Sequence, residues 1–492
     1  MNHKKLNEVL VVGAGIMGAG IAQVAAQAGH TVLLYDARAG AAAEARDKLG
    51  QTLSALSAKG RITADAAAQT LARITAIASL DLAAGARLVV EAIVEKLDAK
   101  RGLFQQLEAV VGTDCVLATN TSSISVTAIA QGLQHPGRLV GMHFFNPVPL
   151  MKLVEVVSGL QTDPAVAQAI FELSATWGKV AVHARSTPGF IVNRIARPYY
   201  AETLALLQEQ AATPAVLDAC LRAAGFRMGP CELMDLIGHD TNFSVTQSVY
   251  EANFFDKRYV PSLVQREMVD GGLLGRKSGR GFFDYREGAV KPAAAEPSVA
   301  AVPSAARVSL HGTGAVAERF AGALEQAGVA FERTPASNWV GLALDGAQLR
   351  LTDGRTATEI GADVALFDLP LGDASTLAWA ASPRASPAWV DAAPAWLQRL
   401  GYAPQRMADA PGLVVARTIA MLVNEAADAV QQGVCTEQGA DAAMKLGVNY
   451  PAGPFEWLAR WDALAVVRLL DALDAHYRGE RYRVSPWLRQ RA

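Results

Sequence analysis

Short, wholly apolar runs that stop at a glycine or a polar residue alternate, over the first third of the chain, with longer stretches of helical character. Leu10, Val11 and Val12 form a short strand signal, and GAGIMGAG then opens an apolar, alanine-rich helix. A second strand, HTVLLYD, ends in Asp36. RLVVEAIVEKLDAKRGLF predicts a buried parallel strand followed by a helix, and CVLATNTSSISV a further strand closing on a polar cluster. Alternation of this kind predicts βαβ units around a parallel sheet. EGAVKPAAAEPSVAAVPSAA, rich in proline and alanine, then predicts an interdomain linker, after which RVSLHGTGAVAERFAGALEQAG again predicts strand, glycine turn and helix.

Composition narrows the class without naming a chemistry. The 492 residues, 51% of them hydrophobic, supply more than one core, and the formal charge of −2 with interleaved signs gives no electrostatic reason to expect nucleic-acid binding. Cys115, Cys220, Cys231 and Cys435 lie far apart without CxxC or metal-ligand spacing, so buried thiols in a reducing compartment are expected, and no metal. VLVVGAGIMGAGIAQVAAQAG superficially resembles a secretory signal or membrane anchor, but its glycines and Gln23 interrupt it. Strand, turn and helix fit better, so a cytoplasmic protein without a membrane partner is expected.

Gly13, Gly15 and Gly18 complete GxGxxG between strand and helix. The first glycine permits the tight turn, the second lets backbone approach a pyrophosphate, and the third lets helix pack on strand. Asp36, eighteen residues after Gly18, stands near the spacing for a carboxylate that binds the adenosine ribose. Its charge would repel a 2′-phosphate and favours NAD over NADP, a preference that Arg38 softens if it faces the ribose. Glu95, Asn120, Ser122 and Ser123 fall beyond the carboxyl ends of strands, where ligands of open α/β sheets bind. Helix capping accounts equally well for Ser122 or Ser123 alone. His143 lies in GMHFFNPVPLMKLVEVV with Glu155 twelve residues later. An imidazole among apolar residues is usually structural, but one with a carboxylate in reach is oriented for proton transfer.

GAGIMGAGIA, VEAIVEK, NTSSISVTAIA, GMHFFNPVPLMKLVEVV, TPGFIVNR and GPCELMDLIG occur in the order found in the (S)-3-hydroxyacyl-CoA dehydrogenases, which the chain resembles over residues 7 to 286. The resemblance implies an α/β Rossmann domain that binds NAD, followed by an all-α domain that closes over an acyl-CoA thioester and takes part in dimerisation. It implies a catalytic pair at His143 and Glu155, with Ser122 and Asn193 orienting the substrate. It places Gly13, Gly15, Ile16, Met17, Gly18, Asp36, Glu95, Lys100, Asn120, Ser122, Asn146 and Lys277 against the cofactor, and Lys59 against the CoA moiety. For Lys59 a solvated surface position is an equal reading.

The second half repeats the first. PGLVVARTIAMLVNEAADAV echoes PGFIVNRIARPYYAETLALL, and NYPAGPFEWLARWD echoes FRMGPCELMDLIG, at an offset of 223 to 224 residues. Expected domains are therefore 1–186 (NAD-binding), 187–287 (helical), 288–306 (linker), 307–402 (a reduced Rossmann-like unit) and 403–492 (a second, noncatalytic helical domain). Gly312, Gly314 and Ala317 form GxGxxA, but AFERT supplies no terminal acid, and Ala416 stands where Asn193 stood. An intrachain pseudo-dimer or a homodimer is expected, with a regulatory nucleotide site the alternative role for this half.

This long arrangement resembles the 3-hydroxyadipyl-CoA dehydrogenases of phenylacetate degradation, with 3-hydroxybutyryl-CoA dehydrogenase the alternative and a noncatalytic NADH-binding scaffold the reading from another class. Arg197, four residues after Asn193 on a predicted helix, would face the same way and meet a distal carboxylate, unless it pairs with Glu202. The chain starts at its first Rossmann strand, so any enoyl-CoA hydratase, like the thiolase, is expected to be a separate partner.

Overall fold

In a computed structural model, residues 6–290, 292–294, 307–372 and 375–492 are described; most of the expected linker 288–306 lies outside them. The chain forms two compact units, Met1–Arg194 with Gln432–Val448, and Ile195–Gln431 with Asn449–Ala492. These units do not follow the boundaries of the sequence repeat.

The first unit is built on an eight-stranded sheet: β1 (Glu8–Val12), β2 (Thr31–Tyr35), β3 (Ile74–Ala76), β4 (Leu88–Glu91), β5 (Val116–Thr119), β6 (Leu139–Phe144), β7 (Leu153–Ser158) and β8 (Val180–Arg185). Their spatial order is β3-β2-β1-β4-β5-β6-β7-β8. Neighbours from β3 through β6 are parallel, β6 meets β7 antiparallel, and β7 meets β8 parallel. The first six strands follow the Rossmann order, in which the chain doubles back across the sheet after β3 and leaves a crevice beyond the carboxyl ends of β1 and β4. Val9, Val11, Leu88, Val90, Val116 and Val140 fill the core, each contributing about 1.5–3 kcal/mol by burial. The strands are largely apolar, as expected of a parallel sheet buried beneath helices.

Gly13 ends β1 at φ +105°, a conformation costly for any residue with a Cβ, and a Cβ on Gly18 would overlap the Gly13 carbonyl oxygen. Helix Ile16–Gln27 therefore starts directly behind the strand.

The second unit contains a mixed seven-stranded sheet of order β10-β9-β11-β12-β13-β14-β15. Its strands are β9 (Val308–His311), β10 (Glu332–Thr334), β11 (Gly341–Leu344), β12 (Ala347–Leu351), β13 (Val364–Phe367), β14 (Thr376–Ala381) and β15 (Ala403–Arg406). It also holds helices from both repeats. Helix Val415–Gln431 is buried from Val415 to Ala429, so each of its ionised groups needs a partner. Arg417 donates from Nε to Glu202 Oε2 at 2.9 Å, and Tyr259 donates to Glu425 Oε1 at 2.5 Å. Among the described residues no helix is long and apolar enough to cross a membrane.

Two expectations need correction. Asn193 and Arg197 do not share one helix: Asn193 lies in Val192–Ile195 and Arg197 begins Arg197–Gln208, with Ala196 between them. Pro198 lacks the N–H that would continue the first helix into the second, so spacing no longer aligns the two side chains. Arg197 does not pair with Glu202, whose oxygens take Arg417 and Arg481; it is buried over the Tyr200 ring and donates to Thr246 Oγ1 at 3.1 Å.

Candidate functional site

The antiparallel β6–β7 pair sets His143 directly opposite Glu155. Nδ1 of the imidazole lies 2.6 Å from Glu155 Oε2. A carboxylate can only accept here, so Nδ1 carries the proton and a neutral ring keeps its lone pair on Nε2. Glu155 Oε1 accepts from the backbone of Ile191 at 3.2 Å and of Val192 at 2.9 Å, which locks the carboxylate from the other side. The rings of Phe145 and Phe190 stand 4.5 and 5.8 Å from the imidazole, leaving His143 only 5% exposed.

His143 lines a cavity of about 350 Å³ with Met17, Glu95, Lys100, Asn120, Ser122, Asn146 and Asn193. All of these positions, singled out from the sequence, thus meet beside the imidazole. Asn193 Nδ2 donates to the Ser122 carbonyl at 3.4 Å, and Asn120 Oδ1 accepts from Phe144 N at 2.9 Å, tying the end of β5 to β6. Glu95 Oε1 collects the Thr121 hydroxyl at 2.6 Å and the Ser122 and Ser123 amides at 2.9 and 3.1 Å. Helix capping therefore does not explain Ser122 or Ser123, and Ser125 supplies that cap instead. Burial works to raise the Glu95 carboxyl, but Lys100 and the hydrogen bonds from Thr121 and Ser122 hold it below its ordinary value.

Glu91, which the sequence did not single out, ends β4 wholly buried. It accepts from Lys100 Nζ at 2.6 Å, Ile93 N at 2.7 Å and Thr119 Oγ1 at 2.7 Å. Lys100 also lies 3.1 Å from Glu95 Oε2, so this lysine braces two carboxylates while facing the cavity. The acid in VVEAIVEK was visible in the sequence, but only the fold of β4 onto the following helix pairs it with Lys100.

A second cavity of about 470 Å³ is lined by Ala14, Gly15, Ile16, Arg38, Glu44, Lys48 and Asn146 among others. Asn146 lines both cavities. Nothing lies within 4 Å of a Cβ placed on Gly15, so the turn faces open space where a diphosphate would meet the helix N-terminus. Asp36 accepts from Ala14 N at 2.7 Å and Arg38 N at 2.9 Å, which ties its carboxylate to two residues that line the cavity. These residues fit a dinucleotide.

The expected softening by Arg38 meets a competitor, because its guanidinium donates to both oxygens of Glu44, at 3.3 and 2.8 Å. Glu44 thus screens the cation beside Asp36 that suits a 2′-phosphate. Replacing Asp36→Ser together with Glu44→Gln is expected to raise the NADP-to-NAD ratio of kcat/KM by about tenfold. An unchanged ratio would show that neither carboxylate sets the preference.

Lys59 and Lys277 are not among the residues lining either cavity. Lys59 is the exposed cap residue after helix Ala41–Ala58. Lys277 belongs to the second unit, where it is ion-paired with Asp240.

In that unit Asp368, directly after β13, accepts from Val414, Val415 and Ala416 N–H. Val414 and Val415 are the repeat counterparts of Ile191 and Val192, which Glu155 holds. Burial pushes the Asp368 carboxyl up to about 6. The clamp on the helix is thus repeated in the second half, with no histidine bonded to Asp368 among the described residues.

Comparison with known proteins agrees with this layout. Residues 8–187 match the NAD binding domain of 3-hydroxyacyl-CoA dehydrogenase, and residues 189–285 and 412–492 match its C-terminal domain. Residues 349–411 match the 3-hydroxybutyryl-CoA dehydrogenase reduced Rossmann-fold domain. The 3-hydroxyadipyl-CoA dehydrogenase of Escherichia coli (strain K12) is 45% identical over 490 residues, covering 98% of this chain and 97% of that protein. The crystal structure of 3-hydroxybutyryl-CoA dehydrogenase from Escherichia coli K12 aligns with a TM-score of 0.90 at 42% identity, covering 99% of this chain and 98% of that one. That of (S)-3-hydroxybutyryl-CoA dehydrogenase from Ralstonia eutropha aligns at 38% identity and a TM-score of 0.56, covering 57% of this chain and 100% of that one.

Proposed function

The chain belongs to the 3-hydroxyacyl-CoA dehydrogenase family, an NAD-dependent oxidoreductase, and from that premise we propose that His143 is its base and a 3-hydroxyadipyl thioester its preferred substrate. The observation that carries the catalytic part is the His143–Glu155 contact inside a cavity that also holds Ser122 and Asn193. NAD, when bound, supplies the acceptor for the hydride that leaves C3.

Nε2 of His143 takes the hydroxyl proton as that hydride departs, and Glu155 keeps Nδ1 protonated and the ring in place. Glu155 is a positioning residue in this scheme, because it acts through the imidazole. The Ser122 hydroxyl and the Asn193 amide orient the reacting oxygen and the thioester carbonyl, and the flanking phenylalanines keep water from the ring. In the reverse direction the imidazolium returns its proton to the developing alkoxide. Gly13 to Met17 offer backbone amides to the diphosphate, Asp36 meets the ribose, and Lys277 is proposed as a late cofactor contact and Lys59 as a CoA contact.

Adipyl preference is supported by the 45% identity to a 3-hydroxyadipyl-CoA dehydrogenase along nearly the whole chain. The likeness along nearly the whole chain to the crystal structure of a 3-hydroxybutyryl-CoA dehydrogenase keeps the shorter substrate as the alternative. Arg197, buried against Tyr200 and bonded to Thr246, is proposed to read the distal carboxylate by exchanging the Thr246 bond for it, since a guanidinium binds a carboxylate through two parallel hydrogen bonds. Measuring kcat/KM for both thioesters is expected to favour hydroxyadipyl-CoA in the wild type, with Arg197→Ala losing about tenfold to a hundredfold on the diacid alone. A wild-type preference for the butyryl thioester would overturn the substrate proposal, and equal losses on both would remove Arg197 from it.

The duplicated half is proposed as a noncatalytic module that makes the chain a pseudo-dimer of itself. Separate enoyl-CoA hydratase and thiolase activities are proposed to supply the hydroxy thioester and consume the oxo product. Cys115, Cys220, Cys231 and Cys435 are all unpaired thiols, which supports a reducing compartment such as the cytoplasm.

A further inference from the structure

The helix Glu437–Gly447 belongs by sequence to the second repeat, yet it lies in the same compact unit as the NAD-binding sheet. Ala440, Ala443, Met444 and Gly447 form its buried stripe, spaced as one face of a helix, and the helix contacts β7 and β8. The segment leading into it is fastened at two points. Arg185 N donates to the Val434 carbonyl at 2.9 Å, and Arg194 Nη1 donates to Gln432 Oε1 at 2.8 Å. In the second unit the exchange runs the other way, because helix Pro214–Ala223 of the first repeat contacts β14.

β7 is the strand that carries Glu155, and Gly447 packs tightly against it. A Cβ placed there would stand 2.7 Å from Leu153 Cδ2, 3.0 Å from Val192 Cγ2 and 3.7 Å from Phe145 Cε1. Each of these side chains is one step from the proton-transferring pair. Leu153 lies two residues before Glu155 on β7; Val192 donates its N–H to Glu155 Oε1; Phe145 packs on the imidazole. Gly447 is not among the residues with positive φ, so no left-handed turn demands a glycine at this helix end. Within a helix glycine costs about 1 kcal/mol relative to alanine, and close approach is what the structure offers to offset that cost.

We propose that Gly447 is a positioning residue for the His143–Glu155 pair, so that the second repeat, which has no such histidine, serves the reaction by backing the strand and helix that hold Glu155. This rests on His143 and Glu155 being the reacting pair. Leu153 Cδ2 is the far end of a flexible side chain and can swing away from an added methyl. Val192, β-branched within a short helix, is stiff and would carry its amide with it.

Full-length Gly447→Ala is therefore expected to lower kcat by about tenfold to a hundredfold, with KM for both substrates and the NADH dissociation constant within about twofold of wild type. Its melting temperature is expected to be nearly unchanged. Val192→Ala removes the methyl that the new Cβ meets, so Gly447→Ala/Val192→Ala is expected to recover kcat to within about twofold of Val192→Ala alone. A wild-type kcat in Gly447→Ala, a loss that Val192→Ala does not relieve, or a loss explained by a smaller folded fraction would each overturn the proposal. Run beside His143→Ala, the series separates two failures. Full turnover without His143 refutes the reacting pair itself, whereas an inactive His143→Ala beside a fully active Gly447→Ala refutes only the role of Gly447.

Discussion

His143→Ala is expected to fold, to melt somewhat lower because the buried Glu155 carboxylate loses its Nδ1 partner, to bind NADH within about twofold of wild type, and to lose about 10²–10⁴ in kcat, the contribution of a positioned general base. The imidazole is held by Glu155 and its ring packs against two phenylalanines, so its removal leaves the sheet intact. Glu155→Ala is expected to differ in kind. Besides releasing the imidazole it strands the buried amides of Ile191 and Val192, at about 1–3 kcal/mol each, so activity and stability fall together. Steady-state kinetics paired with thermal melts separates the two variants. Near-normal turnover in His143→Ala would show that the base lies elsewhere.

Glu202→Ala is expected to give a large loss of stability. Glu202 is fully buried between Arg417 and Arg481, at 2.9 Å from each, and the Arg417 side chain has no exposure. Removing the carboxylate leaves the buried Arg417 guanidinium with only the more distant Glu209, at 4.0 Å, as counter-ion, a loss of about 3–5 kcal/mol and a fall of about 10 °C in melting temperature. Glu202→Gln keeps an acceptor and is expected to lose less.

The pH dependence has a definite sign. Burial alone would raise the Glu202 carboxyl, but Arg481 and Arg417 hold it below its ordinary value. Its stabilisation is therefore complete above the unfolded value of about 4.3 and is lost as pH falls through the depressed folded value. The gap in melting temperature between wild type and Glu202→Gln should be full at neutral pH and shrink in acid. A gap that does not change with pH would show that the charge of Glu202 contributes nothing.

Much of this arrangement was legible in the chain because its parts are local. The glycine turn, the acid ending the second strand and the histidine in HFFNP each carry their chemistry within a few residues. The repeat of PGFIVNR as PGLVVAR likewise disclosed the second helical segment. Three features were not legible, each for a physical reason. Glu91 reads as the polar end of a strand until the following helix brings Lys100 onto it. The break at Ala196 was written in Pro198, yet the apolar periodicity on either side reads through it. The crossing of helix Glu437–Gly447 to the first sheet leaves only one trace, a glycine near the end of a helix, where glycine ordinarily marks a cap.

NADH formation is the most direct measure of the whole assignment. Full-length protein supplied with NAD and (S)-3-hydroxyadipyl-CoA is expected to produce one NADH for each 3-oxoacyl thioester formed, and His143→Ala is expected to produce almost none. No NADH from either the adipyl or the butyryl thioester, or equal production by the His143 variant, would contradict it.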